Sequence, residues 1–364
     1  MIINGKNRQS IWYDASGDQV FIIDQTCLPH EFRVLPLENL ESACVAIQSM
    51  QVRGAPLIGV TAAYGVYLGL REGPDSLDRT CHALAATRPT AVNLQWALKR
   101  CRDRLKGVPL DRRVELALLL AQSIEQDDIA ICDAMGEHGA DLMEQLWQEK
   151  SQSQESLNIL THCNAGALAT VDWGTALSVV YHTVQRGVPV HVWVDETRPR
   201  NQGAALTCWE LGQADVPHTL IVDNAGGHLM QEGQIDVCVV GSDRTARNGD
   251  VCNKVGTYLK ALAAYDNGIP FYVALPLSSI DFSLEAGLNR ISIEERDSDE
   301  VTEVVGLTPD GLPGRVRIAP PGVRTNNPGF DVTPARLVTA LITEHGAVEA
   351  DTGAISALQG LGDR

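Results

Sequence analysis

At 364 residues and 39.3 kDa the chain is long enough for two domains and a sizeable core. Its net charge of −17 and pI near 4.9 argue against a nucleic-acid or anionic-membrane partner, since both call for a basic face. Nine cysteines with no CxxC pair, and no HExxH or tight Cys/His set, leave a zinc site unsupported and point to a reducing compartment rather than a disulfide framework.

The first residues, MIINGKNRQSIWYDASG, lack an apolar h-region, so no signal peptide is expected. The longest apolar stretch, 56–70, is too short and too polar to span a bilayer and suits a buried helix, so a cytoplasmic protein is expected. Residues 10–36 alternate in type and predict a small antiparallel hairpin. From 37 to about 149 the period is helical. Leu40, Cys44, Ile47 and Met50 share one face, and Arg53-Gly54-Ala55-Pro56 breaks that helix and starts the next. Thr87-Arg88-Pro89-Thr90 opens another, with Leu94 and Leu98 inward, and two further helices are predicted at 112–124 and 129–147.

The polar run 151–156 reads as a linker. Beyond it, strands are predicted at 158–161, 190–194, 219–222, 236–240 and 271–274, separated by helices at 174–185, 202–211, 225–230 and 252–264. Alternating strand and helix implies α/β architecture: a parallel sheet covered on both faces, a Rossmann-like domain behind an N-terminal β-ribbon and helical domain. The expected division is 1–150, 151–346 and a variable tail at 347–364, which should fray. Neither G-x-G-x-x-G after a strand nor G-x-x-x-x-G-K-[ST] occurs, so no dinucleotide or P-loop site is indicated.

Four polar clusters fall at strand ends or helix starts, where α/β proteins bind ligands and helix N-termini favour anions. The run VVGSDRTARNGDVCNKVGTY (239–258) carries Asp243, Arg244, Arg247 and Asn253-Lys254 between a strand and a helix. Its plainer alternative is a charged surface loop with a helix cap. Thr161-His162-Cys163-Asn164 presents a thiol after a strand, with a buried structural cysteine as the plainer alternative. His162, its neighbour, should point to the other face and not pair with it. Asp195-Glu196-Thr197-Arg198-Pro199-Arg200-Asn201-Gln202 leads into a helix, with Gln202 placed for a sugar hydroxyl. Arg53-Gly54-Ala55 and Arg88 each precede a helix, where they could clamp a phosphate; the plainer alternative for each arginine alone is a surface salt bridge. A thiol, one acid and several cations around a sugar phosphate suit aldose–ketose isomerisation.

RGAPLIGVTAAYG, TRPTAVNL, THCNAGALAT, VWVDETRPRNQGAALTCWEL, GSDRTARNGDVCNKVGTY, IEERDSDEVTEV and NPGFDVTPARLVTALITEHG occur in this order. Together they resemble the methylthioribose-1-phosphate isomerase family of initiation factor 2B-like proteins, from the hairpin to about residue 346. The resemblance implies conversion of 5-methylthioribose 1-phosphate to 5-methylthioribulose 1-phosphate in methionine salvage, by a homodimer with no metal or other cofactor. It assigns Cys163 and Asp243 as catalytic, and Arg53, Gly54, Ala55, Arg88, Gln202, Asn253 and Lys254 as substrate-binding. Asn201, Ala205, Thr245 and Arg247 depart from the family pattern without touching the catalytic pair. Two alternatives belong to the same superfamily: a ribose-1,5-bisphosphate isomerase, and a non-catalytic initiation factor 2B-type regulatory subunit.

Overall fold

The computed structural model describes residues 1–3, 5–89, 91–150 and 154–361. Thr90 and the first three residues of the expected linker, 151–153, lie outside them. A ribbon of β1 (Ile2–Ile3) and β2 (Lys6–Asn7) leads to an antiparallel sheet of β3 (Ile11–Asp14), β4 (Gln19–Ile23) and β5 (Val34–Leu37), one strand more than the expected hairpin. Alternation turns Ile11, Val20 and Ile22 inward.

Five helices follow: α1 (Leu40–Gln48), α2 (Ala55–Glu72), α3 (Leu77–Ala85), α4 (Val92–Leu105) and α5 (Leu110–Lys150). Every residue of α2 from Leu57 to Leu70 is buried. A helix apolar all round must be enclosed, and α1, α3, α4 and α5 enclose it. The two helices predicted at 112–124 and 129–147 are one, α5, of 41 residues. Residues 125–128, which lie between the two predicted segments, include two inward carboxylates. Glu125 accepts a hydrogen bond from Tyr64 Oη, and Asp128 accepts one from Val171 N at 2.7 Å. Neither glycine nor proline interrupts the helix there.

The chain then alternates through β6 (Leu157–Thr161), α6 (Ala176–Gln185), β7 (Val190–Asp195), α7 (Cys208–Gln213), β8 (His218–Ile221), α8 (Ala225–Gln231) and β9 (Val237–Val240). It continues with β10 (Arg244–Ala246), β11 (Val251–Lys254), α9 (Thr257–Asp266), β12 (Phe271–Ala274), β13 (Ile280–Asp281) and α10 (Asp299–Thr302). The last elements are β14 (Glu303–Leu307), β15 (Pro313–Arg317), β16 (Phe330–Thr333), β17 (Ala340–Thr343), β18 (Gly346–Val348) and α11 (Thr352–Leu358). The main sheet runs β18-β17-β12-β9-β6-β7-β8, all parallel except β18 at one edge. Strand order therefore reverses between β6 and β9. At that point the connections depart in opposite directions and leave a crevice beyond the strands' carboxyl ends.

Two expectations are corrected. Residues 252–254, predicted as the start of a helix, form β11, which pairs with β10 and β16 in a second sheet, and α9 begins only at Thr257. Asn248-Gly249 turns the β10–β11 hairpin with Gly249 at φ +89°. The described part of the tail, as far as Leu361, does not fray: β18 joins the sheet edge, and α11 buries Ile355 and Leu358 in the core beneath it, while 362–364 lie outside the described residues. No helix among the described residues is long and apolar enough to cross a membrane.

Candidate active site

Cys163 follows β6 and Asp243 follows β9, so the two strands flanking the reversal deliver one group each to the same crevice. Cys163 holds φ at +65°, the left-handed region that residues with a Cβ rarely adopt. Three hydrogen bonds fix it there. Its N–H donates to Thr197 Oγ1 at 2.8 Å, its carbonyl accepts from Thr207 Oγ1 at 2.7 Å, and its thiol donates to Gln202 Oε1 at 3.4 Å. Gln202 opens a π-helical segment, Gly203–Thr207, that continues into α7. Gly203 is what lets this segment approach β7, because a Cβ there would stand 1.7 Å from the Asp195 carbonyl oxygen. His162 turns the other way, as alternation predicts. Its Nδ1 lies 2.9 Å from Asp195 Oδ2 and its Nε2 2.8 Å from the Val255 carbonyl.

Arg53 arrives from the loop before α2 and is buried. Its guanidinium donates to Asn164 Oδ1 and, at 2.6 Å, to the Asn164 carbonyl. Asn164 Nδ2 in turn donates to Thr207 Oγ1 at 3.2 Å and to Glu210 Oε1 at 2.8 Å. Glu210, on α7, also accepts from Ala167 N at 2.8 Å and Leu168 N at 3.0 Å. This buried carboxylate, two bonds from Arg53, was not singled out in the sequence. In CWEL it has the look of an ordinary helix acid. Gly54, at φ +93°, lies so close to Ala169 that a Cβ would stand 2.5 Å from its Cα and carbonyl oxygen. That contact joins the helical part to the loop after β6. Ala55 is the first residue of α2, at an N-terminus with no side-chain cap.

Lys254, at the end of β11, donates to the Gly329 carbonyl at 2.7 Å, and its Nζ stands 4.6 Å from the centroid of the Phe330 ring. Asn253 Nδ2 donates to Thr257 Oγ1 at 3.0 Å, bracing the start of α9. Arg88 pairs with Glu294 at 3.2 Å and keeps a buried Nε without a hydrogen-bond partner. Arg244, next to Asp243 in sequence, is held by Asp281 and so does not neutralise its neighbour.

Burial pushes the Cys163 thiol above its ordinary value, against the pull of Arg53 and Lys254. It pushes the Asp243 carboxyl up as well, opposed by Lys254, Arg88 and Arg53, and it lowers Lys254. These mutual influences place Cys163, Asp243, Arg53 and Lys254 in one electrostatic cluster. Two cavities open onto it. A larger one, of about 480 Å³, has Arg53 and Gln202 in its wall. A smaller one, of about 40 Å³, has Ala55, Arg88 and Asp243 in its wall.

Among the described residues, His162, Asp195 and Asp223 form the one cluster with metal-ligand spacing. Lys260 already serves it, with Nζ 3.2 Å from Asp195 Oδ2 and a hydrogen bond to the Asp223 carbonyl. The Asp223 carboxylate accepts from Thr197 N and Arg198 N, each at 2.7 Å. The cluster thus shapes the loop that carries Gln202.

Fold and site define an α/β protein of doubly wound order with a thiol, a carboxyl group, a buried arginine and a half-buried lysine at its strand reversal. Residues 51–350 match the Initiation factor 2 subunit family. The chain belongs to that family. It is 56% identical to a methylthioribose-1-phosphate isomerase of Methylorubrum extorquens over 98% of both chains. Among solved structures it is similar to 5-methylthioribose 1-phosphate isomerase from Pyrococcus horikoshii, at 39% identity and TM-score 0.82, covering 98% of this chain and 97% of that one. It is also similar to the translation initiation factor eIF-2B subunit delta from A. fulgidus, at 39% identity and TM-score 0.78, covering 94% and 96%.

Proposed function

We propose that the protein is an aldose–ketose isomerase that converts 5-methylthioribose 1-phosphate to 5-methylthioribulose 1-phosphate in methionine salvage. The observation that carries this reading is the pair Cys163 and Asp243 at the strand reversal, each with its pKa raised by burial. Full-length relatives at 56% and 57% identity carry the isomerase name, which favours this reading over the regulatory subunit and the bisphosphate isomerase.

In this substrate the anomeric carbon carries the phosphate, so the ring opens only when its oxygen, O4, takes a proton. Asp243, whose carboxyl pKa burial raises, donates it, and the C1–O4 bond breaks. The hydrogen on C2 then passes to C1. A buried neutral thiol is a poor base, so Cys163 suits a hydride passing beside it better than abstraction of a proton. The C2 hydroxyl gives up one proton as its carbon becomes the ketone, which balances the one O4 received. Arg53, the free N–H groups of Gly54-Ala55 at the start of α2, and Lys254 hold the phosphate. Gln202 and the unpaired Nε of Arg88 serve sugar hydroxyls, and Asn253 orients Lys254 through α9. Homodimeric assembly, a cytoplasmic setting and the division at 1–150, 151–346 and 347–364 complete the proposal.

Ketose formation from 5-methylthioribose 1-phosphate, with ribose 1,5-bisphosphate alongside, tests it. Turnover of the first should exceed that of the second by at least tenfold. Turnover of the bisphosphate alone, or of neither, would refute it. Deuterium placed on C2 should appear on C1 of the ketose, and its washout into solvent would show proton abstraction instead.

A further inference from the structure

His162 is buried beside Cys163 and takes no part in the chemistry above. Its Nδ1 faces Asp195 Oδ2 at the end of β7, and its Nε2 faces the Val255 carbonyl just after β11. With a hydrogen on each nitrogen, one ring bridges both acceptors. The ring also lies flat against the turn after β11. Gly256 holds φ at +106°, and a Cβ there would stand 2.8 Å from His162 Cε1 and 2.9 Å from Nε2.

The Asp195 contact closes a circuit around the thiol. The Asp195 carbonyl accepts from Thr197 Oγ1 at 3.0 Å, and that hydroxyl accepts from Cys163 N at 2.8 Å. Residue 162 thus holds Asp195 by its carboxylate, and residue 163 holds it by its carbonyl through Thr197. Two residues of this circuit have left-handed backbone, Cys163 at φ +65° and Thr197 at φ +63°. Such conformations persist only where the surrounding contacts over-determine them, the more so for a β-branched threonine.

The Val255 contact reaches the lysine. Lys254 Nζ donates to the Gly329 carbonyl at 2.7 Å, and Val255 N donates to the same oxygen at 3.2 Å. Asp331, on β16, accepts from Gly256 N at 2.7 Å and Tyr258 N at 3.1 Å. The segment from Gly329 to Asp331 therefore holds this turn from one side, and His162 holds it from the other.

We infer that His162 is a positioning residue, whose imidazole fixes the Cys163 thiol and Lys254 relative to each other by tying the ends of β7 and β11 together. The inference deepens the isomerase reading and rests on it for what the thiol and the lysine do. Lys260 Nζ lies 3.2 Å from the same Asp195 oxygen, so removing the imidazole leaves no lone buried charge and the protein should still fold.

Two amides separate the contacts. The Asn amide nitrogen falls where Nδ1 stands, and the Gln amide nitrogen where Nε2 stands. His162→Asn keeps the Asp195 contact and frees Val255. Its KM for 5-methylthioribose 1-phosphate should rise ~10-fold as Lys254 loosens, with kcat at low pH within ~3-fold of the parent. Asp243 is faced by Lys254, Arg88, Arg53 and Glu294, with Lys254 exerting the strongest pull downward. The alkaline limb of kcat should therefore move up by about half a pH unit in this variant. His162→Gln keeps Val255 and frees Asp195. Its kcat should fall ~10-fold or more with KM within ~3-fold and the limb in place, and iodoacetamide should alkylate Cys163 ~10-fold faster, read by peptide mass spectrometry. Each variant carries its own expected result, so either alone decides should the other not fold. A lowered melting temperature with parent-like kcat, KM and limb, or the same pattern of loss in both variants, would overturn the inference. Absence of ketose formation by the parent would instead overturn the isomerase reading. The alkylation rates still judge the clamp in that case: faster only in His162→Gln supports it, and equal rates in parent and both variants overturn it.

Discussion

Glu210→Gln keeps the size of the side chain and removes its charge. In the parent, Oε1 accepts from Asn164 Nδ2 at 2.8 Å and Leu168 N at 3.0 Å, and Oε2 from Ala167 N at 2.8 Å and Tyr181 Oη at 3.4 Å. All four groups donate, so whichever oxygen becomes an amide nitrogen turns two of them into donors facing a donor. One of those two is always the backbone N–H of a fully buried residue, Ala167 or Leu168. Hydrogen bonds to a charged group contribute ~1.5–3 kcal/mol each, so losing two costs about 3–6 kcal/mol, and the lower figure allows for rotation of Tyr181 and local relaxation. Denaturant unfolding should show the midpoint falling by that equivalent with an unchanged slope. Loss of this anchor also frees Asn164, and with it the guanidinium of Arg53, so KM for the sugar phosphate should rise about tenfold with a smaller change in kcat. A variant within ~0.5 kcal/mol of the parent and with unchanged KM would refute the relay from Glu210 through Asn164 to Arg53.

Cys163→Ala should leave a folded protein, by circular dichroism and size-exclusion chromatography, whose turnover is lost; near-normal kcat would return this thiol to a structural part. Gly54→Ala places a Cβ against the Ala169 backbone at a positive φ, so it should destabilise by about 2–4 kcal/mol and raise KM, read by thermal unfolding and initial rates. Asp128 is pushed up to about 7 by burial on α5. Its folded-state pKa exceeds its unfolded one, so its stabilising effect is full below about pH 4 and is lost as pH rises to about 7. Asp128→Asn retains an acceptor for Val171 N and should flatten that decline in denaturation midpoints; an unchanged pH profile would contradict it.

The parallel strands were legible because each is a short Val/Ile-rich run between turn residues, and the polar loops after them follow from chain order alone. Cys163, Asp243, Arg53 and Lys254 come together in the structure as their motifs implied. What stayed hidden depends on partners distant in sequence. Residues 252–254 are strand because β16, some 80 residues on, offers an edge to pair with. Glu125 and Asp128 fall between the two predicted helices, and the groups that bond them, on Tyr64 and Val171, are distant in sequence. Glu210 matters through Asn164, and no local pattern marks an acid that acts two bonds away. Arg88 and Asn253 are engaged by Glu294 and Thr257, contacts that qualify the roles their motifs suggest.

The account turns on Asp243 as the proton donor in the crevice. Steady-state kinetics of Asp243→Asn on 5-methylthioribose 1-phosphate tests this most directly, because the amide keeps the shape and lacks the transferable proton. The account predicts kcat lower by roughly two or more orders of magnitude, as for loss of a general acid, with KM changed by less than about threefold. In the parent, kcat should fall as pH rises through the raised pKa of this carboxyl group, and that limb should vanish in the variant. A variant that keeps its kcat and loses only affinity would contradict the account and make Asp243 a substrate-binding group.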